Sequence, residues 1–233
     1  MRMNYLLKRR AGLILCIALA SSVTSLWANV PGKGGSPSPA TPPYGRTYDV
    51  LSLEWWLWDF MLPVPNNPTV TPGVPCTNGQ TGNVWFLYAG PPTVTCTVPA
   101  GKMLFFPIVD TECSSLEAPP FHGDTPEERQ ACAKGWIDYL TNIAASIDGV
   151  PVQNLHPLRT RSGDFSFTVP DNNILVGSGP AWGFSSADGY YILLNPLPAG
   201  DHTIHVQGTF HDPNDPAHPP VFTIDTLMTL HVQ

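Results

Sequence analysis

The last two predicted strands carry polar residues whose types and spacing could support chemistry. Along residues 203–211, apolar and polar side chains alternate, which places His205 and Gln207 on the polar face. The same alternation in the final strand places Asp225 on its polar face. If the two strands form a hairpin, the three side chains come together and could bind a metal, polarise a ligand or relay a proton. The simpler interpretation is a solvated sheet face.

The loop between these strands holds a second polar cluster: His211, Asp212, Asp215 and His218. These residue types ligate Ca²⁺ or Zn²⁺ in proteins. Their spacing matches no complete ligand set, and the intervening prolines interrupt any EF-hand-like pattern. A polar turn is therefore the preferred interpretation, and a divalent metal bound here is the alternative.

A third group of titratable residues lies between residues 110 and 124. Its members are Asp110, Glu112, Glu117, His122 and Asp124. Two neighbouring carboxyl groups could serve as acid and base in glycoside hydrolysis. A single sequence does not show whether these side chains converge, so we expect a polar loop whose acids face water.

Residues 49–62 predict a tryptophan-rich helix, because prolines follow them. Projection at about 100° per residue places Glu54 among Leu57, Trp58 and Met61. A carboxylate in that position needs a partner or a proton, since its desolvation is unfavourable. The candidate partners are basic: Arg159, Arg161 and the histidines of residues 202–211. The alternative is a shorter or rotated helix whose Glu54 reaches water.

The tryptophans of this helix have two interpretations. Trp55, Trp56 and Trp58 could form a sugar-stacking platform or a membrane-interface anchor. Their apolar neighbours favour core packing instead, with Trp56 as the exception because it lies on the polar arc. We expect five aromatic side chains in the core: Trp55, Trp58, Trp85, Phe105 and Trp136.

The chain begins with the pattern of a secretory signal. Basic residues within the first ten positions precede an apolar run at residues 11–20 and small residues up to Ala28. We therefore expect a signal peptide at residues 1–28, a Pro/Gly/Ser-rich linker at residues 29–46 and a single domain at residues 47–233. The expected location is secreted or periplasmic, with no stable membrane span after signal cleavage.

Four cysteines follow the signal: Cys76, Cys96, Cys113 and Cys132. An even number of cysteines in an oxidising compartment indicates two disulfides, for which three pairings are possible. We favour Cys76–Cys96 with Cys113–Cys132, because each bond closes a short loop. A metal site is disfavoured because the four cysteines include no close Cys-x-x-Cys pair.

Charge and missing motifs exclude several functional classes. Removal of the signal takes four of the eleven basic residues and none of the eighteen acidic ones, so the formal charge changes from −7 to −11. An acidic exported protein has no electrostatic reason to bind nucleic acid. The sequence contains no Gly-x-Ser-x-Gly, His-Glu-x-x-His, phosphate-loop or dinucleotide motif. Enzyme families that depend on those motifs are therefore excluded.

Strand-like runs separated by Gly/Pro turns dominate the rest of the chain. They cover residues 84–89, 93–98, 103–109, 150–159, 164–169, 189–194, 202–211 and 221–232. A second helix begins with a capping box at Thr125, and its apolar stripe extends to Ile147. This pattern predicts a mainly β protein, an antiparallel β-sandwich or jelly roll with two inserted helices.

Four pieces of the sequence carry a resemblance to a known group. They are EWWLWDF, GNVWFLYAG, CTVPAGKMLFFPIV and DGYYILLNPLPAGDHTIHVQGTF. Over most of residues 50–232 the chain resembles a group of uncharacterised secreted bacterial proteins, which run from a tryptophan-rich helix to a Pro-x-Gly-x-His-Thr-Ile strand. The resemblance implies an exported β-sandwich and carries no reaction, substrate or catalytic residue.

Two functional hypotheses follow. The first is a secreted, non-catalytic binding or structural protein of the cell envelope or extracellular space, with a ligand such as a glycan. The alternative is a secreted hydrolase or metal-dependent enzyme that uses His205, Asp225 and an acidic partner such as Glu54. A concave pocket holding these residues would favour the enzyme, and a flat exposed face would favour binding.

Overall fold

Two β-sheets and two helices make up the part of the chain that the computed structural model describes, residues 39–215 and 220–233. The helices are α1 (Tyr48–Phe60) and α2 (Pro126–Asp138). The strands are β1 (Val84–Phe86), β2 (Thr93–Val98), β3 (Met103–Ser114), β4 (Thr141–Ile147), β5 (Val150–Pro151), β6 (Arg159–Val169), β7 (Ala181–Leu194), β8 (Gly200–Phe210) and β9 (Phe222–Val232). Short 3₁₀ turns cover Pro43–Gly45, Val64–Asn66 and His156–Leu158.

The strands form a four-stranded sheet of order β1-β3-β7-β6 and a five-stranded sheet of order β2-β9-β8-β4-β5. Paired strands are antiparallel except β1 with β3 and β2 with β9, which are parallel. The main apolar cluster contains side chains of both sheets, such as Phe106 and Ile108 of β3 and Ile204 and Val206 of β8. The predicted β-sandwich with inserted helices is therefore confirmed, although two strand pairs are parallel.

Helix α1 packs on the four-stranded sheet, mainly against β6. It ends at Phe60 because Pro63, shortly after, cannot continue a helix. The Phe60 ring lies 4.6 Å from the ring of Phe167 on β6. The five aromatic side chains predicted in the core are all at most 7% exposed: Trp55, Trp58, Trp85, Phe105 and Trp136.

Helix α2 begins as predicted and ends earlier than predicted. Thr125 and Glu128 form the capping box, but the helix stops at Asp138 and residues 141–147 form β4. The apolar residues of this stretch fit both the period of a helix and the period of a strand. In the structure Ala145 and Ile147 are buried while the residues between and before them are not, which is the period of a strand paired with β8. Pairing with β8 therefore outweighs the helical pattern.

Several strand boundaries also differ from the predicted ones, and β7 begins at Ala181 where the prediction has residue 189. Strand β3 continues to Ser114, so residues 110–114 belong to a strand and not to a loop. The predicted strand at residues 150–159 is a two-residue β5, a 3₁₀ turn and the start of β6. Strand β3 extends this far because it pairs with β7 along its length, with Ser114 opposite Ser185.

Both predicted disulfides are confirmed. Cys76 bonds to Cys96 with Cα atoms 5.6 Å apart, and Cys113 bonds to Cys132 with Cα atoms 6.1 Å apart. The first bond ties the loop before β1 to β2, and the second ties β3 to α2. Two disulfides indicate an oxidising compartment.

The predicted signal peptide, residues 1–28, lies outside the described residues, as does most of the predicted linker. The last residues of that linker contact the domain. Ala40 N donates to Leu193 O at 2.7 Å, and Tyr48 Oη donates to Ala40 O at 3.3 Å. The packed structure therefore extends to residues before Thr47.

None of the helices in the described ranges has the length and apolar character required to cross a membrane.

Candidate functional site

The structure brings together the three polar residues predicted on the last two strands. Gln207 pairs with Asp225 in the β8–β9 register, and His205 Nε2 lies 2.6 Å from Asp225 Oδ1. Hydrogen bonds from His205 and then Gln207 hold the pKa of Asp225 below its usual value. The side chains of His205 and Asp225 are 39% and 61% exposed, on the outer face of the five-stranded sheet. They form an open surface and line neither of the two cavities described below.

The residues of the predicted metal cluster make other contacts. Asn214 N donates to Asp212 Oδ1 at 2.8 Å, and His211 Nε2 lies 3.1 Å from Thr141 Oγ1. His218 lies outside the described residues. Within residues 39–215 and 220–233, no three His, Cys, Asp or Glu side chains are grouped so that they could hold a metal ion. Among the described members of the cluster, His211, Asp212 and Asp215 therefore form no such group, and the part that His218 would play stays a prediction.

Glu54 has a basic partner, but not one of those predicted. Arg46 Nη1 donates to Glu54 Oε2 at 2.5 Å, whereas Arg159 and Arg161 form salt bridges with Asp188. Sequence reasoning missed Arg46 because this residue lies in the segment interpreted as a linker. The Glu54 side chain is 34% exposed, so water and Arg46 together stabilise its charge.

Three acids that the sequence places in a solvated loop line a cavity of about 310 Å³ instead. Asp110 and Glu112 lie two residues apart on β3 and so share one face of that strand. Glu117 follows in the turn after β3 and lines the same space. Six aromatic side chains complete much of the wall: Trp56, Phe60, Phe121, Trp136, Phe210 and Phe222. We call this space the acidic cavity.

Asp110 is held in the acidic cavity by a chain of hydrogen bonds. Trp56 Nε1 donates to Tyr191 Oη at 3.1 Å, and Tyr191 Oη donates to Asp110 Oδ2 at 3.1 Å. Opposite Asp110, Gly189 leaves room for the acid, since a Cβ there would lie 2.5 Å from the Asp110 Cβ. Burial raises the pKa of Asp110 to about 8, and the charge of Asp59 adds to this. Asp110 therefore carries a proton at neutral pH.

Glu112 and Glu117 are close enough for each carboxyl to affect the ionisation of the other. Glu112 also accepts a hydrogen bond from Ser185 Oγ, and Glu117 accepts one from Ser114 Oγ at 3.1 Å. Burial raises the pKa of both carboxyls, and the contact with Glu117 raises that of Glu112 further. Each of the two carboxyls therefore binds a proton more tightly than an isolated glutamate does.

Helix α1 adds a fourth buried acid near these three. Asp59 is 4% exposed and accepts hydrogen bonds from Asn67 Nδ2 at 2.9 Å and Thr69 Oγ1 at 2.8 Å. Burial raises its pKa to about 6, and those two hydrogen bonds limit the rise. The described side chains that line the acidic cavity include no Lys or Arg. Burial without a Lys or Arg partner therefore favours the protonated form of the acids that line this cavity.

Four of the six aromatic side chains of the acidic cavity form two stacked pairs. Phe121 and Trp136 stack with ring centroids 4.9 Å apart, and Phe210 and Phe222 stack at 4.6 Å. Phe222 is 49% exposed, so this side of the cavity reaches solvent. A ligand here would meet flat apolar surfaces next to carboxyl groups with raised pKa values, and a protonated carboxyl can donate as well as accept hydrogen bonds.

One sequence signal could have located this cavity. Asp110 and Glu112 follow the apolar run of residues 103–109 at a spacing of two, which continues the strand period. A disulfide at Cys113 also indicates that the segment is anchored to the domain. From the sequence alone we assign both acids to a polar loop, and acidic residues are rare in buried strands.

A second, larger cavity of about 880 Å³ lies on another face of α1. It is lined by Glu54, Leu57, Trp58, Met61 and Leu62 from α1 and the residues after it, by Arg46, by the loop of residues 79–83, and by Val84 and Phe86 of β1. We call this space the apolar cavity. It shares no lining residue with the acidic cavity.

Comparison with known proteins identifies no family. No protein family model and no curated protein matches the chain. Among solved structures, amebosin (solution structure) is 11% identical, with a TM-score of 0.20, over 66% of this chain and 100% of that one. A cysteine protease inhibitor, EhICP2, from Entamoeba histolytica is 15% identical, with a TM-score of 0.22, over 64% and 96%. PbICP-C, solved in complex with falcipain-2, is 13% identical, with a TM-score of 0.23, over 65% and 100%. At these TM-scores the three structures give no basis for inferring the function of this chain.

Proposed function

We propose that this chain is a secreted, non-catalytic protein of the extracellular space or cell envelope that binds a saccharide in the acidic cavity. One observation carries the proposal: Asp110, Glu112 and Glu117 line a single small cavity together with stacked aromatic rings. Two disulfides and the signal-like residues 1–28 support the secreted location.

The chemistry of the cavity suits a neutral ligand rich in hydroxyl groups. Carboxyls that retain protons both donate and accept hydrogen bonds, as sugar hydroxyls do. The aromatic faces of Phe121 and Phe222 offer apolar surface to the C–H groups of a sugar ring. A volume of about 310 Å³ is at the lower end of the range for ligand pockets, which fits a small saccharide unit.

Glycoside hydrolysis at the same acids is the second candidate, because Asp110 and Glu112 lie two residues apart on β3. Both side chains lie on the same face of that strand and line the same cavity, as the paired acids of a glycosidase must. Hydrolysis also needs one ionised carboxylate as base, and burial raises the pKa of Asp110, Glu112 and Glu117. Binding without hydrolysis therefore has the better support.

An enzyme that uses His205 and Asp225 has less support than saccharide binding or glycoside hydrolysis in the acidic cavity. Both side chains lie on an open sheet face. The acidic partner considered for them, Glu54, lies on α1, which packs against the other sheet.

Binding is tested with the purified protein on an array of neutral oligosaccharides, followed by calorimetry with the best ligand. Phe222→Ala should weaken binding about fivefold or more, because it removes a partly exposed ring of the cavity. The matched control is Trp182→Ala, which removes another exposed strand aromatic, 60% exposed and outside the cavity. Absence of saturable saccharide binding, or equal losses in both variants, would contradict the proposal. Release of new reducing ends would select hydrolysis.

A further inference from the structure

The apolar cavity has the features of a second binding site. Its volume of about 880 Å³ lies within the range of pockets that hold drug-sized ligands. It does not overlap the acidic cavity, so a ligand here is independent of the saccharide proposal. We infer that the apolar cavity binds an amphiphile with an apolar chain and an anionic head group, of the chemical class of a fatty-acid carboxylate.

The walls of the cavity supply the apolar part of this site. Leu57, Trp58, Met61 and Leu62 face Phe86 across the space, and the Trp58 and Phe86 rings lie 5.9 Å apart. Met61 is 59% exposed, which leaves a large apolar side chain in contact with water. An alkyl chain in the cavity would cover this surface, with a gain of about 25 cal/mol per Å² of apolar area removed from water.

The charges at the cavity select the head group. Arg46 and Glu54 form an ion pair in its wall. Lys102 Nζ donates to the carbonyl oxygen of Gly82, which also lines the cavity. Two basic side chains and one acid thus lie at or beside this space, in a protein whose formal charge is −7. The local charge therefore favours an anion over a cation.

Apart from Arg46 and Lys102, the basic residues of the described chain have acidic partners. Each forms a salt bridge with an aspartate: Arg129, Lys134, Arg159 and Arg161. Lys102 instead donates to a neutral carbonyl oxygen, that of Gly82, at 2.5 Å. A ligand carboxylate could replace that carbonyl as the partner of Lys102, a charge-assisted hydrogen bond of roughly twice the strength of a neutral one.

Hydrogen bonds and a disulfide fix the position of the loop that carries Gly82 and lines the apolar cavity. Gln80 Nε2 donates to Phe86 O at 2.7 Å, and Phe86 N donates to Gln80 Oε1 at 2.9 Å. Trp58 Nε1 donates to Asn78 O at 3.0 Å. The disulfide at Cys76 fixes the start of the same loop. The cavity is therefore a preformed space, which reduces the entropic cost of binding.

The probes are decanoate and decyltrimethylammonium, which share an alkyl chain and differ in head-group charge, each titrated below its micelle concentration by calorimetry. We expect one decanoate per chain and at least about tenfold weaker binding of the cation. Absence of saturable decanoate binding, or equal affinity for both probes, would overturn the inference.

Two matched pairs of variants locate the site. Lys102→Glu should weaken decanoate binding about tenfold, whereas Lys134→Glu, the same charge change on α2, should leave the affinity unchanged. Met61→Glu should abolish binding, whereas Leu227→Glu, at an apolar residue 42% exposed on the outer face of the five-stranded sheet, should not. Circular dichroism confirms that each variant is folded. Equal effects within either pair would place decanoate outside this cavity.

Discussion

The two cavities beside helix α1 stabilise acidic side chains in opposite ways. On one side, Glu54 lines the apolar cavity next to Arg46 and keeps 34% of its side chain exposed. On the other side, Asp110 and Glu112 lie in the acidic cavity, whose described lining includes no basic residue. A counter-charge and water stabilise an ionised carboxylate, whereas burial without a counter-charge stabilises the protonated form.

This difference separates the ligands that each cavity can accept. The apolar cavity keeps formal charges at or beside its wall, so it can distinguish an anion from a cation. The acidic cavity keeps carboxyl groups with raised pKa values beside aromatic rings, so we expect it to accept an uncharged polar ligand. The comparison fails if the buried acids are in fact ionised at neutral pH, and the following measurements test this from the largest expected effect to the smallest.

Asp110→Asn should make stability less sensitive to pH. The folded protein keeps a proton on Asp110 up to its raised pKa of about 8, whereas the unfolded chain releases it at the ordinary pKa near 4. Wild-type stability is therefore lost as pH rises through that window. As pH rises through this window, the free energy of unfolding of Asp110→Asn should increase relative to that of wild type by on the order of 3–5 kcal/mol.

Denaturant unfolding at several pH values from about 4 to about 9 measures this effect. Asp171→Asn, at an exposed loop acid, is the matched control and should show no such trend. Parallel pH profiles for wild type and Asp110→Asn would mean that Asp110 is ionised in the folded protein.

Each disulfide should support a different cavity. Replacing Cys113 and Cys132 by Ala should lower the free energy of unfolding by about 3 kcal/mol, and the same change at Cys76 and Cys96 should cost a similar amount. Only the first double variant should also alter the pH dependence that arises from Asp110, because that bond anchors β3. Unfolding curves of both double variants at two pH values test this, and identical pH profiles would refute the assignment.

Asp59→Asn should have a smaller effect over a lower pH range. Its pKa is raised to about 6, so wild-type stability falls between the ordinary pKa near 4 and that value. The variant should gain on the order of 2–3 kcal/mol relative to wild type as pH rises through this range. Nuclear magnetic resonance titration of the Asp59 carboxyl gives the pKa directly. A pKa at or below the ordinary value would contradict this expectation.

The Arg46–Glu54 ion pair should contribute less to the free energy of unfolding than the groups considered above. Both side chains are about a quarter to a third exposed, so a double-mutant cycle with Glu54→Gln and Arg46→Gln should give a coupling of about 0.5–1 kcal/mol. The Lys134–Asp138 pair, with comparable or greater exposure, provides the reference cycle. A coupling well above that of the reference would show that Glu54 is more strongly desolvated than its exposure indicates.

Elements defined by local chemistry could be predicted closely. The capping box at Thr125 specifies where α2 begins, and the prolines after α1 specify where that helix ends. Strand β2 has the predicted bounds because turns flank a run that alternates in polarity. The hairpin that joins His205 to Asp225 follows from the same period of two.

The sequence could not predict segments whose apolar pattern fits both a helix and a strand. Nor could it predict which acidic residues are buried and which face water. Residues 143–147 fit a helix stripe, and only their pairing with β8 makes them a strand. Asp110 and Glu112 look like loop acids until β7 pairs along β3 and Trp56 of α1 lines the same cavity as the two acids. Arg46 could not be matched to Glu54 because the turn before α1 brings it back to the helix.

The sequence by itself determined the kind of protein this is: a disulfide-bonded β-sandwich with a tryptophan-rich helix, two cysteine pairs and a polar hairpin face. These properties depend on residues close in the chain, whose spacing follows from helix and strand periods. Only the tertiary structure decided which acids lose contact with water and which retain it. That outcome depends on what packs against each carboxyl, and the groups around Asp110 come from Trp56, Gly189 and Tyr191, far from it in sequence.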